Sequence, residues 1–182
     1  MLDTSKLLIY FLLILFPLGL AKAVSATTMG VSARIEPSCS FTINPLNFGV
    51  YDGEENEQIA NIAVTCTNGT EYSLGLGFGN NTLDGKYDRK MTSGKNTIDY
   101  KLYQDKDMQR IWGNDLENSI SGRGTGSEQI YRIYGLIPVD QPLLVGNYSD
   151  LVTISLRLQN SDNSLLVYQS SVRLEVRATV EP

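Results

Sequence analysis

The residues whose type and spacing come nearest to catalytic chemistry are carboxylates. Asp105 and Asp107 flank Lys106. Three more aspartates lie nearby in sequence: Asp84, Asp88 and Asp99. Paired carboxylates can hydrolyse glycosides, but the general acid needs a pocket that raises its pKa, and the sequence around these residues indicates none. The stretch also lacks the glycine and the closing glutamate of an EF-hand loop. We interpret these residues as solvated acids in turns.

The second candidate for chemistry is a glycine-rich stretch. Gly122, Gly124 and Gly126 alternate with Arg123 and Thr125, as in a loop that cradles phosphate. No Lys-Ser/Thr pair follows and no helix is predicted to begin there, and both are parts of a phosphate-binding loop. The stretch is therefore predicted to be a hairpin loop.

Composition narrows the function further. The chain has 182 residues, no histidine, two cysteines and a formal net charge of −5. The absence of histidine removes histidine-based acid–base catalysis and histidine-ligated metal sites. Two cysteines are too few for a four-cysteine zinc site, and an acidic chain is a poor ligand for nucleic acid. We expect no enzyme, no cofactor, no metal and no nucleic-acid partner.

The N-terminus has the layout of a secretory signal peptide. Lys6 precedes an apolar run at residues 7–16, and the motif Ala-Lys-Ala follows at residues 21–23. The run is shorter than the roughly 20 residues that span a bilayer, which argues against the alternative of a membrane anchor. We predict that residues 1–23 are a signal peptide, with Ala26 as a second cleavage position, and that the mature chain is not an integral membrane protein.

Export makes the two cysteines informative. Cys39 and Cys66 would meet an oxidising compartment, where two thiols pair by default. No C-x-x-C spacing suggests a redox-active pair. The sequence predicts a Cys39–Cys66 disulfide, with two buried free thiols as the alternative.

The mature chain is predicted to be all β. Apolar and polar residues alternate with a period of two, which is typical of half-buried strands. The clearest runs are residues 72–78, 148–158 and 172–180. Turn pairs such as Asn68-Gly69 separate the runs. Strands of this number and spacing predict an antiparallel β-sandwich, and no internal repeat is recognised along the chain.

One segment is better explained by a partner than by chemistry. Met29, Val31, Ala33 and Ile35 lie at alternate positions between the signal and Cys39. The segment could be the first strand of its own sandwich. It could also complete the sheet of a neighbouring molecule, with alternate side chains filling pockets.

An ordered set of short motifs carries a family resemblance. The motifs are residues 46–52, 64–72, 89–94, 98–105, 111–113, 124–126, 134–138 and 146–150. Together they resemble the spore coat protein U domain family, which includes subunits of archaic chaperone–usher (Csu-type) pili. The resemblance covers about residues 27–158, and no single motif in it is decisive.

The resemblance implies an immunoglobulin-like sandwich of the pilin type that lacks one strand. It further implies export to the periplasm, a dedicated periplasmic chaperone and an outer-membrane usher. Other pilin subunits would be the partners in a surface pilus that serves adhesion or biofilm formation. Cys39 and Cys66 match the disulfide positions of the family, and Met29, Val31, Ala33 and Ile35 match its donor strand.

The C-terminus departs from the family, whose domains end near residues 151–158. The expected organisation is a signal at 1–23, a donor-strand segment at 24–38, a pilin-like sandwich at 39–158 and an extension at 159–182. The extension could add a hairpin or could fill the groove from within the chain, which would put strand exchange in doubt; it also favours a minor subunit. Two alternatives to a pilus subunit stay open: a surface adhesin and a self-contained structural protein resembling a spore-coat protein.

Overall fold

The computed structural model describes residues 27–82, 87–142, 144–159 and 165–182. The predicted signal peptide lies outside the described residues. Within them the chain forms ten β-strands and no helix, so none of this part could cross a membrane as a helix. The strands are β1 (Cys39–Ile43), β2 (Leu46–Val50), β3 (Asn56–Cys66), β4 (Glu71–Leu76), β5 (Arg89–Ser93), β6 (Asn96–Tyr103), β7 (Ile120–Arg123), β8 (Glu128–Ile137), β9 (Gly146–Gln159) and β10 (Leu165–Val180).

The chain divides into two units by its backbone contacts, Met1–Arg34 and Ile35–Pro182. The described part of the first unit, residues 27–34, has no regular secondary structure, and each of its residues is exposed. All ten strands belong to the second unit.

The second unit is a sandwich of two sheets. One sheet has the order β1-β3-β8-β6, and all of its neighbouring strands are antiparallel. In the other, β9 pairs with β4 and β5 on one side and with β10 on the other, and β10 continues to β2. The strand β6 links the two sheets, because its first half pairs with β5 and its end with β8.

The strand order is that of an immunoglobulin domain. Such domains pair strands A, B, E and D in one sheet and C, F and G in the other. Here β1-β3-β8-β6 takes the first order and β4-β9-β10 takes the second. Tyr148, near the start of β9, donates a hydrogen bond from its hydroxyl to the carbonyl of Leu144 at 2.7 Å, which is the tyrosine corner of this fold. The predicted immunoglobulin-like sandwich is confirmed.

The expectation of a missing strand requires correction. The strand β10 lies beside β9 and β2, at the position that strand G holds in a complete immunoglobulin sandwich. Within the extension, β10 is therefore a strand antiparallel to β9 and also the strand that fills this edge of the sheet; residues 160–164 lie outside the described residues. The two possibilities left open by the sequence are both realised.

The core is built from the inward residues of both sheets. Trp112 is fully buried and its indole nitrogen donates to the carbonyl of Leu74 at 3.0 Å. On β8, Gly135 lies opposite β2, and a Cβ there would meet Leu46 Cδ2 at 2.6 Å and Phe48 Cζ at 2.9 Å. A side chain at this position would therefore push β2 away from the core.

A buried polar cluster lies within this core. Arg89 and Asp150 are 0% and 3% exposed. The guanidinium of Arg89 donates to the carbonyls of Leu76, Gly77 and Trp112. Asp150 accepts a hydrogen bond from the hydroxyl of Tyr100 at 2.7 Å. Burial lowers the pKa of Arg89 to about 10, a value at which the side chain stays charged at neutral pH.

Buried tyrosines predict that the fold weakens in alkali. Burial raises the pKa of Tyr51, Tyr72, Tyr87, Tyr100 and Tyr103. In the unfolded chain tyrosine loses its proton near pH 10, so above that pH the folded state retains protons that the unfolded state has lost. The stabilisation is present in full below pH 10 and decreases as the pH rises towards the folded-state values. The lowered pKa of Arg89 makes the folded state gain stability as the pH rises, but this effect comes from one group, whereas five tyrosines act in the other direction.

We expect the urea midpoint of unfolding to fall between pH 9 and pH 11. Tyr103→Phe removes one titrating group and should make the decrease less steep. A midpoint that stays constant or rises over this range would contradict the prediction.

Candidate functional site

The edge of the sheet at β10 is formed by the C-terminal strand and its two neighbours, β9 and β2. The strand β10 pairs antiparallel with the whole of β9, from Leu165 opposite Gln159 to Val180 opposite Gly146. Its other edge pairs in parallel with β2 at Val176, Arg177 and Thr179. Beyond β2 the contact continues, because the backbone amide of Tyr51 donates to the carbonyl of Thr179 at 2.8 Å. The C-terminal half of β10 therefore has backbone partners on both sides.

The side chains of β10 alternate between core and solvent. Leu174, Val176, Ala178 and Val180 are between 0% and 4% exposed and belong to the hydrophobic core. The outward residues between them are polar: Arg173, Glu175, Arg177 and Thr179. An ion pair joins Arg177 and Glu175 at 2.6 Å on the exposed face, where such a pair adds little stability. Burial of the apolar side chains on its inner face is therefore what stabilises β10 in the sandwich.

The sequence-predicted donor residues lie in solvent. Met29, Val31 and Ile35 are 87%, 85% and 81% exposed, and Ala33 is exposed as well. The structure therefore does not place Met29, Val31, Ala33 and Ile35 in the core of this chain's own sandwich. The segment therefore exposes four apolar residues at strand spacing.

The exposed segment and the end of β10 share a sequence. Residues 29–37 read Met-Gly-Val-Ser-Ala-Arg-Ile-Glu-Pro, and residues 174–182 read Leu-Glu-Val-Arg-Ala-Thr-Val-Glu-Pro. The valine, the alanine and the closing Glu-Pro are identical, and the first and seventh residues of both segments are large and apolar. The two segments are identical at four of nine positions. So short a similarity becomes informative only because the structure shows where one of the two segments lies, in β10 between β9 and β2.

The disulfide lies directly after the exposed segment. Cys39 begins β1, pairs with Cys66 at the end of β3, and is bonded to it. The backbone of Ser38 is tied to the same place, because the amide of Thr67 donates to the carbonyl of Ser38 at 2.9 Å. A crosslink over a sequence separation of 27 residues stabilises the fold by roughly 3–4 kcal/mol in the chain-entropy model. The predicted disulfide is confirmed, and it fixes the point from which the segment extends.

The aspartates form no catalytic constellation among the described residues. Asp105 accepts hydrogen bonds from the backbone amides of Gln109 and Arg110 and pairs with the guanidinium of Arg110 at 2.9 Å. These bonds, led by the one from Gln109, lower the pKa of Asp105, whereas a general acid needs a raised pKa. Asp99 pairs with Lys90 across β5 and β6, and Asp84 lies outside the described residues. The described part of the chain also holds no group of three metal-ligating His, Cys, Asp or Glu side chains.

The glycine-rich stretch is part of a turn. Gly122 lies in β7 against the rings of Tyr72 and Tyr131. The amide of Gly124 donates to the carbonyl of Thr70 at 2.7 Å, and the amide of Gly126 donates to Cys66. These amides are used by the turn itself. The interpretation as a hairpin loop is wrong, because β7 pairs with β4 and β8 pairs with β3 and β6, so the stretch connects two strands that are not paired with each other.

Sequence reasoning missed the burial of Arg89 and Asp150. The two residues are 61 positions apart, and nothing in the local pattern marks either as buried. The one available signal is Asp150 itself, a charged residue directly before the strongly alternating part of β9.

Several solved structures are similar in fold. The CssB subunit of enterotoxigenic Escherichia coli colonization factor CS6, complemented with a donor strand from the CssA subunit, is 12% identical, with a TM-score of 0.49 over 78% of this chain and 97% of that chain. AggA, the major subunit of aggregative adherence fimbriae type I from Escherichia coli, is 13% identical, with a TM-score of 0.46 over 84% and 100%. The CsuC–CsuE chaperone–tip adhesion subunit complex from Acinetobacter baumannii Csu pili is 20% identical, with a TM-score of 0.48 over 67% and 40%.

The solved structures and the family model differ in how much they say about this chain. The three TM-scores lie below 0.5, so the fold assignment rests on the strand pairing and the tyrosine corner. No curated protein matches this chain in sequence. The model of the Spore Coat Protein U domain family matches residues 25–155, which include the exposed segment and the strands up to β9 but not β10. This chain belongs to the Spore Coat Protein U domain family.

Proposed function

We propose that the protein is a structural subunit of a secreted surface pilus and that residues 27–35 complete the sheet of a neighbouring subunit. A periplasmic chaperone and an outer-membrane usher would assemble it with other pilin subunits, and the pilus would serve adhesion or biofilm formation. The observation that supports this proposal is the match between the exposed residues 29–37 and the β10 residues 174–182. A segment that repeats a groove-filling strand has the side chains to fill such a groove in another molecule.

The match is positional as well as compositional. If Met29 takes the position of Leu174, then Val31, Ala33 and Ile35 take those of Val176, Ala178 and Val180. The segment would then run antiparallel to the neighbour's equivalent of β9 and parallel to its equivalent of β2, as β10 does here. Burial of a large apolar side chain contributes about 1.5–3 kcal/mol, so three such residues can hold a subunit interface. Glu36 and Pro37 would end the strand, since proline lacks the amide that a ladder needs.

We propose no catalysis for this protein. The acids that could perform it are solvated or bonded in turns, as at Asp105, and the buried acid Asp150 accepts hydrogen bonds from Tyr100 and Asn80. The chemistry of the subunit would be the formation of hydrogen bonds and apolar contacts between chains.

A self-contained structural protein is the second candidate. It is favoured by β10, which completes the sandwich without any other chain. In that case residues 27–35 would have no acceptor, and their exposed apolar face would have no role. The donor segment therefore separates the two candidates.

The donor role predicts that a carboxylate at residue 31 reduces incorporation into fibres and that a carboxylate at residue 32 does not. Val31→Asp places a carboxylate on the apolar face, and its dehydration in a neighbour's groove costs several kcal/mol. We expect it to reduce incorporation into surface fibres by at least about tenfold, since 1.4 kcal/mol corresponds to a factor of ten. The measurement is an immunoblot of fibres sheared from the native host, run without heating so that strand-exchanged complexes persist.

The matched control is Ser32→Asp, which introduces the same charge on the polar face of the segment. We expect it to leave incorporation within about twofold of the wild type, because a charge that stays in water costs little free energy. Normal incorporation of Val31→Asp would show that residues 27–35 do not enter a neighbour, and would leave the self-contained protein as the better candidate.

A further inference from the structure

We infer that this subunit completes its own sheet and therefore donates a strand to one neighbour without accepting a strand from another. The inference rests on the proposed function, in which residues 27–35 are the donor. Its basis is β10, which occupies the edge between β9 and β2 where an incoming strand would have to pair. Such a subunit stands at the end of a pilus, at the position after which no further subunit is added.

The backbone groups of β9 and β2 with which a neighbour's strand would have to pair are already hydrogen-bonded to β10. The whole of β9, Gly146–Gln159, pairs with β10. On the far side, β2 pairs with Val176–Thr179. A neighbour's strand would have to break these ladders before it could form its own.

The apolar positions along this edge are filled as well. Leu174, Val176 and Val180 are 0%, 0% and 4% exposed and pack in the core. Displacement of β10 would expose these large apolar side chains to water, which opposes the displacement. The donor segment of another copy presents nearly the same residues and would gain no advantage over β10.

The covalent connection of β10 to β9 favours β10 over a free strand from another molecule. Only residues 160–164 separate β9 from β10, and a short linker gives a tethered segment an effective concentration in the millimolar range. A free strand of the same composition at micromolar concentration would be outcompeted.

The subunit that accepts residues 27–35 must lack a strand equivalent to β10. It must offer a groove with the same apolar positions, including a small third one for Ala33, and must have no strand of its own to fill it. A member of the same family whose chain ends after its equivalent of β9 meets these requirements, because the family match of this chain ends at residue 155 and excludes β10. A second copy of this chain would be an acceptor only if its β10 moved out of the sheet.

The test uses the mature chain with a protease recognition sequence inserted between Asp162 and Asn163. The protein folds with β10 tethered, and half of the sample is then cut, which leaves β10 bound but no longer linked. A fluorescent peptide of residues 27–37 is added in excess to both halves, and its uptake is followed by fluorescence anisotropy. A second peptide that carries Val31→Asp is the control.

We expect the cut form to take up the wild-type peptide and the uncut form to show at least about tenfold lower occupancy, as the effective concentration of a tethered strand requires. The Val31→Asp peptide should bind neither form. Equal uptake by the uncut form, or strand-swapped oligomers of the native chain, would overturn the inference because β10 would then be displaceable. Uptake by neither form would overturn the donor role of residues 27–35 itself, so the two failures are distinguished.

Discussion

Val176→Asp is expected to unfold the isolated subunit. Val176 is 0% exposed and pairs with Asp150 of β9 on one side and Leu46 of β2 on the other. A carboxylate in this position loses its hydration on the apolar face of β10, beside Leu174 and Ala178 and opposite the buried acid Asp150. The cost of several kcal/mol is a large part of the 5–15 kcal/mol that stabilises a domain. Thermal and urea unfolding should show a large decrease in the midpoint, or the variant should fail to accumulate as soluble protein.

Two comparisons make this result specific. Arg173→Asp places the same carboxylate on the solvent face of β10 and should change the midpoint little, since surface substitutions usually fall within about 0.5 kcal/mol. Val31→Asp makes the same substitution at the matching position of the N-terminal segment, where the side chain is 85% exposed. It should leave the stability of the subunit unchanged and affect only assembly. A Val176→Asp protein with a normal midpoint would show that β10 is not part of the sandwich.

Asp150→Ala is expected to have the second large effect. The Asp150 carboxylate accepts hydrogen bonds from Tyr100 at 2.7 Å, Leu151 at 2.8 Å and Asn80 at 2.9 Å. Its removal leaves these donors without partners and deprives the buried Arg89 of the nearby negative charge. Each buried donor left without an acceptor typically costs about 1–3 kcal/mol. The free energy of unfolding, measured in urea, should fall by an amount of this order.

The conservative variant Asp150→Asn retains one oxygen acceptor and should be intermediate. Asp105→Asn serves as the surface control, because Asp105 lies in a turn and its substitution is expected to change the free energy of unfolding by no more than about 0.5 kcal/mol. If Asp150→Ala and Asp105→Asn destabilise the protein equally, the polar cluster does not contribute to the core as described. These measurements also bear on β9, since Asp150 lies within it, directly opposite Val176 of β10.

Val31→Asp is expected to impair only assembly and Val176→Asp to unfold the subunit, and this difference follows from the locations of the two valines. Both valines occupy the third position of the same nine-residue pattern, and both substitutions introduce the same charge. One of the two copies is a part of the fold and the other is exposed. If the exposed copy fills a neighbour's groove, as we propose, the protein carries one strand for itself and one for another subunit.

The sequence by itself determined the class of the fold and the covalent link. Alternation with period two in residues 148–158 and 172–180 predicts strands because side chains of a strand point to opposite faces, and this property depends only on local geometry. The pairing of Cys39 with Cys66 followed from the presence of two thiols in an exported chain. The solvated state of Asp105 was predictable for a similar reason, because its partners Gln109 and Arg110 are close neighbours in the chain.

Only the tertiary structure decided which strand fills which edge. Alternation in residues 172–180 is equally compatible with an added hairpin and with the last strand of the sheet, because it does not specify what lies on either side of a strand. The choice depends on β2, which is more than 120 residues away in the chain and pairs with β10 through Val176–Thr179. The burial of Arg89 and Asp150 has the same origin, since their hydrogen-bond partners, such as Trp112 for Arg89 and Asn80 for Asp150, are distant from them in sequence. Likewise, the match between residues 29–37 and 174–182 acquired meaning only when one copy was found between β9 and β2, because a short apolar pattern becomes a binding motif only with respect to the groove that it fills.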